Sequence, residues 1–477
     1  MKGNMSSLSP LYVDLDGTFI KSDMLLESLL VAAKKNPFII FLCFVWLFRG
    51  RAYLKYRVSQ EASVDASLLP LNTEFYAFLL AQKESGRKII LATASNEKYA
   101  EEVCRKYELF DSYISSDEEN NLKGREKLKK ITSQTDRFSY AGNSSEDFPI
   151  FEQAEDSYLV NPTKRARSAS SKVGVSQTFD VGPSINMKAW LRQLRVHQWL
   201  KNLLIFIPLL VSGEYLNVDL VIDSLYGFIS FSCLASATYI INDLLDLESD
   251  RSHSRKKYRP LAASQISIVN AVLVSAALFL VSFALALSLE GLFVYVLMVY
   301  LAVTLLYSFI IKQYIGIDVI TLAALYTIRI LAGAAILDVT LSFWLLSFSM
   351  FVFLSLALVK RCAELKSFEE ENAKMARGRD YNVNDYSLLM SFGTSSALLS
   401  VLMFCFYTNS NVLNNQYQEP TVLWLIVPAL SYWLMRMWVK THRGEMHDDP
   451  IVFSLRDGGS IFTIGFIVVI TLLAQLL

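Results

Sequence analysis

The stretch Asn242-Asp243-Leu244-Leu245-Asp246-Leu247-Glu248-Ser249-Asp250-Arg251-Ser252-His253 decides how this chain is read, with Arg255-Lys256-Lys257-Tyr258-Arg259-Pro260 close behind it. It follows a long apolar run, and acids bunched at the end of a membrane helix need a reason. Read as helix, Asp243, Asp246 and Asp250 stand at i, i+3 and i+7, so all three point one way, with Asn242 one turn below Asp246. Three crowded carboxylates repel one another unless a cation lies between them. Hard oxygen ligands with room for water suit Mg²⁺, which substrate phosphates usually complete. The bases downstream can hold the phosphate oxygens that the metal leaves free. The bland alternative is a solvated loop of mixed charge. An aspartate at a helix centre costs roughly 2.5–3.5 kcal/mol, so a cluster at a helix end favours function over accident.

The pattern Asn-Asp-x-x-Asp-x-x-x-Asp-Arg-x-His, followed by Lys256 and Arg259-Pro260, resembles the first motif of the UbiA superfamily of intramembrane prenyltransferases. Within it the decaprenyl-phosphate phosphoribosyltransferase branch is the nearest match. Ser254 stands where that branch usually has Pro, and Ser264 where it usually has Gly.

At 477 residues the chain has room for two or three domains. The hydrophobic fraction is 53% and the mean hydropathy +0.34. Residues 1–190 are mixed, and most of the remainder is strongly apolar. Formal net charge is zero, which argues for no nucleic-acid partner. The five cysteines are scattered without CxxC spacing and read as core thiols. The amino terminus is polar and runs into a strand pattern, with no signal-peptide pattern.

Residues 1–162 alternate strands with helices, which implies a parallel α/β sheet with its site at the carboxyl ends of the strands. Leu11 to Leu15 reads as a buried strand ending in Asp14-Leu15-Asp16-Gly17-Thr18. One carboxylate there can attack phosphorus and the other can shuttle a proton. Thr93-Ala94-Ser95 ends a second strand, Lys123-Gly124-x-x-Lys127 opens a helix, and Gly142-Asn143-Ser144-Ser145-Glu146-Asp147 follows a third strand. In this order the four pieces resemble the haloacid dehalogenase superfamily. The resemblance implies Asp14 as nucleophile and Asp16 as general acid/base. It implies Thr93 and Lys127 as phosphoryl-binding groups, and Asp14 and Asp147 as Mg²⁺ ligands. Asn143 departs from that pattern, standing where an aspartate is usual.

A helical insertion over residues 23–67 stands where that superfamily often carries a cap. It holds the 11-residue apolar run Phe38 to Phe48, too short to span a bilayer. Bounded by Arg49, Arg51, Lys55 and Arg57, the run suits either the membrane interface or an ordinary cap core. Residues 163–186 are polar and read as a linker.

Residues 187–477 read as an all-α polytopic membrane domain. After a basic amphipathic segment, nine spans are expected, near 199–213, 220–241, 268–289, 291–311, 317–337, 341–360, 388–407, 421–439 and 461–477. Lys and Arg crowd loops 242–267, 360–387 and 434–460 and are missing from the alternate loops, so the motif-bearing side and the amino-terminal domain are expected in the cytoplasm of a bacterial inner membrane. Lys201, Asn202, Lys312, Asp318, Tyr326, Arg329, Lys360 and Asp449 add polar groups on that side. All of these resemble the phosphoribosyltransferase branch. Prenyl-diphosphate enzymes typically carry a second Asp-x-x-x-Asp cluster, whereas Asp318 here is followed four residues on by Leu322.

The resemblance implies Mg²⁺-dependent transfer of a 5-phosphoribosyl group from phosphoribosyl diphosphate to a polyprenyl phosphate in the membrane. Asn242, Asp243, Asp246, Asp250 and Asp318 would serve as metal ligands, with Lys256, Arg259 and Lys312 catalytic. Arg251, Lys201, Asn202, Tyr326 and Arg329 would bind substrate. The amino-terminal domain would then remove the 5-phosphate. A prenyltransferase acting on an aromatic acceptor, and a non-catalytic lipid-binding scaffold, are the alternatives. Homo-oligomerisation is left open.

Overall fold

The computed structural model describes residues 8–169, 174–180, 186–289, 291–370, 380–410, 413, 417–446 and 449–476. Parts of the expected linker (170–173 and 181–185) and of the basic loop 360–387 (371–379) lie outside the described residues. Two compact units divide the chain: Met1–Gln193 with Ile240–Leu273, and Leu194–Tyr239 with Val274–Leu477.

Six parallel strands organise the first unit: β1 (Leu11–Val13), β2 (Ile89–Asn96), β3 (Ser112–Ser116), β4 (Ser139–Gly142), β5 (Ser157–Val160) and β6 (Gln177–Phe179). Their order is β3-β2-β1-β4-β5-β6, a Rossmann-like sheet. The central strands are apolar on both faces, as a parallel sheet covered by helices requires, and Leu11, Val13, Ile89, Leu91 and Ala141 are fully buried. β1 pairs with β2 on one side and β4 on the other, so the strand order reverses beside it. The crevice beyond the carboxyl ends of β1 and β4 is therefore the topological switch point, where open α/β sheets bind ligands. Asp14 follows β1 directly, and Asn143 follows β4.

The expected cap consists of α1 (Met24–Lys35), α2 (Ile39–Leu47) and α3 (Arg51–Glu61). Asp23 caps α1 by accepting the Leu26 N–H at 3.1 Å. Then come α4 (Thr73–Glu84), α5 (Glu97–Lys106), α6 (Arg125–Thr132), α7 (Phe148–Phe151) and α8 (Lys164–Ala169).

The apolar half holds α9 (Met187–Gln193), α10 (Ile207–Val211), α11 (Val218–Leu245), α12 (Leu247–Ser252), α13 (Ile268–Ser288), α14 (Phe293–Phe309) and α15 (Ile317–Leu337). α16 (Phe343–Glu370), α17 (Tyr386–Thr408), α18 (Ile426–His442), α19 (Pro450–Ser454) and α20 (Gly458–Leu476) complete it. Among the described residues seven helices are long and apolar enough to cross a membrane, and a bent pair, Met187–Gln193 with Val196–Val211, makes an eighth if it is one span. Seven of the nine expected spans coincide with these helices, and the other two differ in detail. For the first, the 49° bend of the pair falls between Gln193 and Val196, ahead of the expected span at 199–213. The fourth is α14, whose 17 residues rise only about 25 Å against a hydrocarbon core of about 30 Å.

Small polar residues join the spans of the second unit. Ser230 on α11 and Ser282 on α13 each donate to the other's carbonyl at 2.8 Å. Trp438 on α18 donates to Ser355 on α16 at 3.0 Å, and Ser355 donates to the Gly393 carbonyl of α17 at 2.9 Å. Such pairs supply the adhesion that apolar contact cannot provide between helices in lipid.

Candidate active sites

At the switch point, Asp14 Oδ1 accepts from Lys127 Nζ at 2.9 Å. Lys127 also donates to the Tyr140 hydroxyl at 3.0 Å, and that hydroxyl donates to Asp147 Oδ1 at 3.0 Å. Sequence reading placed Asp14, Lys127 and Asp147 here; Tyr140, buried on β4, carries no sequence signal that separates it from core. Burial alone would lower the Lys127 pKa, but Asp14 and Asp147 outweigh that and hold it raised. Asp147 is pushed up to about 6, burial being the largest cause. Asp16 is pushed up to about 7, first by burial and then by Asp23 and Asp14. It accepts from the Met24 N–H at 2.7 Å and the Ser95 hydroxyl at 2.8 Å. A carboxyl held this way is suited to trade protons near neutrality. Thr93 is fully buried and accepts the Ser95 N–H at 2.9 Å. Gly17 has φ +72°, and a Cβ there would run into the Asn143 side chain. This close approach requires glycine and brings Asn143 over the first motif.

A cavity of about 1220 Å³ opens over these groups. Asp14, Asp16, Lys127, Asn143 and Asp147 line it, together with Lys55 of α3, Arg251, Leu261 and residues 263–269. Lys55 donates to the Ala94 carbonyl at 2.6 Å, and burial holds its pKa below the usual lysine value.

The acidic motif lies in the same unit. α11 ends at Leu245 and α12 begins at Leu247, so the chain breaks at Asp246 instead of continuing as one helix. The i→i+4 pattern nevertheless runs across that turn, the Asp246 N–H donating to the Asn242 carbonyl at 2.9 Å and the Asp250 N–H to the Asp246 carbonyl at 2.8 Å. Asp243 and Asp250 converge, both accepting from Arg259 Nη1, at 3.1 and 2.6 Å. Asp246, at the break, accepts from Lys34 of α1 at 2.8 Å and from Asn242 Nδ2 at 3.3 Å. Gln193 donates to the other oxygen of Asp243 at 2.9 Å. Among the described residues no three His, Cys, Asp or Glu side chains are gathered closely enough to hold a metal ion. Two carboxylates sharing one guanidinium nitrogen can nevertheless share one cation, and hard oxygen donors of this kind fit Mg²⁺. Burial raises the Asp250 pKa, with Arg259 opposing.

Arg251, expected to bind substrate, forms a buried bidentate pair with Glu27 of α1, at 2.8 and 3.1 Å. Nothing in sequence marks Glu27, an acid in the first turn of a helix. Ser264 adopts φ +54°, in the left-handed region that favours glycine. Lys256 lies in an exposed single turn, Lys256–Tyr258.

In the second unit, Lys201 pairs with Asp449 at 2.6 Å, Lys360 approaches Asp449 at 3.6 Å, and Tyr326 donates to Asp449 at 3.2 Å. The two lysines outweigh burial and hold the Asp449 carboxyl well below the usual range. Arg329 donates to Asn202 Oδ1 at 2.9 Å and stacks over Phe231, Tyr300 and Tyr326, which satisfies a charge inside a membrane helix. Asp318 is fully buried and is bonded to Arg361 at 2.7 Å and to the Tyr381 hydroxyl. The carboxylate expected as a metal ligand is here engaged by a guanidinium and a phenol hydroxyl. Lys312 lies in the turn Ile311–Gln313 before α15.

Comparison with known proteins adds the following. The family described as UbiA prenyltransferase matches residues 204–464. An uncharacterized protein, y4nM, of Sinorhizobium fredii is 38% identical over 95% of this chain and 88% of its own length. The nodulation protein NoeC of Azorhizobium caulinodans is 30% identical over 57% of this chain and 88% of its own. Decaprenyl-phosphate phosphoribosyltransferase of Mycobacterium tuberculosis is 33% identical over 48% of this chain and 77% of its own. With its apolar helices and its acidic motif at the end of a span, the chain belongs to the UbiA prenyltransferase family and is a multi-pass membrane transferase.

Proposed function

We propose that the membrane part transfers a 5-phosphoribosyl group from phosphoribosyl diphosphate to a polyprenyl phosphate, and that the sheet domain removes the 5-phosphate. The product would be a polyprenyl-phosphoryl ribose for cell-envelope synthesis, made at a bacterial inner membrane with the sheet domain on the cytoplasmic side. Asp243 and Asp250 would hold Mg²⁺ together with Asn242, and Asp246 would join on release from Lys34. The chemistry Mg²⁺ supplies when bound is neutralisation of the leaving diphosphate. Arg259, displaced from the carboxylates, would turn its guanidinium to the diphosphate oxygens, assisted by Lys256 and Lys312. An oxygen of the lipid phosphate attacks the anomeric carbon as the bond to diphosphate breaks, and pyrophosphate leaves with the electron pair. The acceptor is already ionised near pH 7, so no general base is needed.

The observation that carries this reading is the state of Asp318. Arg361 and Tyr381 occupy it, and Leu322 stands where a second acid would complete another diphosphate site. This favours one diphosphate on a soluble sugar over a prenyl diphosphate, and the mycobacterial relative supports the same substrate pair.

In the sheet domain, Asp14 would attack the 5-phosphate, and the ribose oxygen would leave with a proton from Asp16. Water would then attack the aspartyl-phosphate, giving its proton to Asp16 and releasing inorganic phosphate. Lys127 would hold Asp14 and the phosphoryl oxygens.

The test supplies purified protein with phosphoribosyl diphosphate and polyprenyl phosphate, beside Asp14→Asn. The wild type should yield lipid-linked ribose and the variant lipid-linked ribose 5-phosphate. Equal release of the 5-phosphate by both would refute the phosphatase assignment. Failure of label from phosphoribosyl diphosphate to enter lipid would instead favour transfer of a prenyl group to another acceptor.

A further inference from the structure

The helix α2 is Ile-Ile-Phe-Leu-Cys-Phe-Val-Trp-Leu, nine residues without one polar side chain apart from its thiol. Only Ile39 and Trp46 are buried, packed with residues of α1 and α3. Phe38, Phe41, Phe44 and Phe48 are 72%, 71%, 64% and 92% exposed. A continuous apolar face of this kind on a water-soluble domain would be an association hazard, so something must cover it.

Three observations identify the cover. First, the hairpin is tied to the end of a membrane span. Lys34, in the last turn of α1, pairs with Asp246, the residue after α11 ends. Arg251, five residues further along, pairs with Glu27 on the same α1. Second, α2 begins five residues after Lys34, at most about 18 Å of extended chain. The apolar helix therefore starts within reach of the level at which α11 leaves the hydrocarbon. Third, the charge suits a lipid headgroup layer. No Asp or Glu occurs from Ser28 to Gln60, whereas Lys34, Lys35, Arg49 and Arg51 flank α2. All four bases are exposed. Nine residues are too few to cross a bilayer but enough to lie in its interface.

We infer that α2 is a monotopic foot: it inserts its phenylalanines into the acyl-chain boundary of the bilayer that the spans cross, with Lys35, Arg49 and Arg51 against lipid phosphates. The foot fixes the cap, and through α3 and Lys55 the wall of the 1220 Å³ cavity, to the lipid surface. A substrate carried on a membrane lipid could then reach that cavity without leaving the bilayer. The inference is independent of which group the transferase moves.

The test uses the full chain in lipid nanodiscs that contain a phospholipid with a photoactivatable diazirine on its acyl chain. After illumination and trypsin digestion, residues 36–49 are released as one fragment, since Lys35 and Arg49 bound it. Lipid adducts should appear on that fragment as they do on the spans. In the double variant Phe41→Asp/Phe44→Asp the adducts should vanish from the fragment while those on the spans persist. Both side chains are exposed, and an unchanged melting temperature would verify that the fold survives. A fragment without lipid beside labelled spans would overturn the inference.

Discussion

Asp318 and Arg361 show what single residues decide. Neither side chain has appreciable contact with solvent, and their oxygen and nitrogen lie 2.7 Å apart. Removing one member of such a pair strands the other charge, at a cost of about 3–5 kcal/mol. Asp318→Asn should therefore lower the midpoint of thermal unfolding in detergent while leaving the Mg²⁺ concentration dependence of transfer unchanged. A shift in that dependence without loss of stability would return Asp318 to the metal site. The acid itself was legible in the sequence, but its partners were not. Arg361 lies 43 positions away and Tyr381 lies 63 away, and no local spacing reports a pairing across helices. The motif Asp14-Leu15-Asp16-Gly17-Thr18 was more readable, because strand, turn and function share five consecutive residues. Tyr140 was unreadable for the opposite reason: a buried tyrosine on a strand looks like core until its hydroxyl is found between Lys127 and Asp147.

At the scale of elements, Gly333 on α15 permits a close approach of two elements in the second unit. A Cβ there would run into the Ile205 carbonyl of the segment Val196–Phe206. The obstacle is backbone, which cannot turn aside, so Gly333→Ala should cost ~1–3 kcal/mol and lower the unfolding midpoint. An unchanged midpoint would show that the two elements have room to part. The pair Glu27–Arg251 joins α1 to the acidic segment in the same way. Glu27→Ala should destabilise the protein by about 3–5 kcal/mol, because Arg251 stays buried without its partner. Retained stability would show that water reaches Arg251. Helix existence was well signalled by hydropathy, since seven of the nine expected spans coincide with long apolar helices. Helix continuity was not. A period of i, i+3, i+7 assumes an unbroken helix, whereas α11 stops at Leu245 and turns Asp246 toward Lys34. The 49° bend ahead of the first span was equally unsignalled: it falls beside Arg195, whose φ of +52° no sequence pattern announces.

For the whole molecule, the parallel sheet with its site at the switch point and the polytopic α part were both legible from alternation and hydropathy. The membership of residues 240–273 in the compact unit of the sheet was not, because it rests on contacts between segments far apart in sequence. The central claim is that Asp243 and Asp250 share a divalent ion that grips the diphosphate of a soluble sugar donor. The most direct measurement is mass spectrometry of the lipid formed from phosphoribosyl diphosphate and decaprenyl or undecaprenyl phosphate, by wild type and by Asp243→Ala/Asp250→Ala, with and without Mg²⁺. The account predicts a polyprenyl phosphate heavier by the ribosyl group, with or without its 5-phosphate, only from wild type with Mg²⁺. The same lipid product from the double variant, or from wild type stripped of divalent ions, would contradict it.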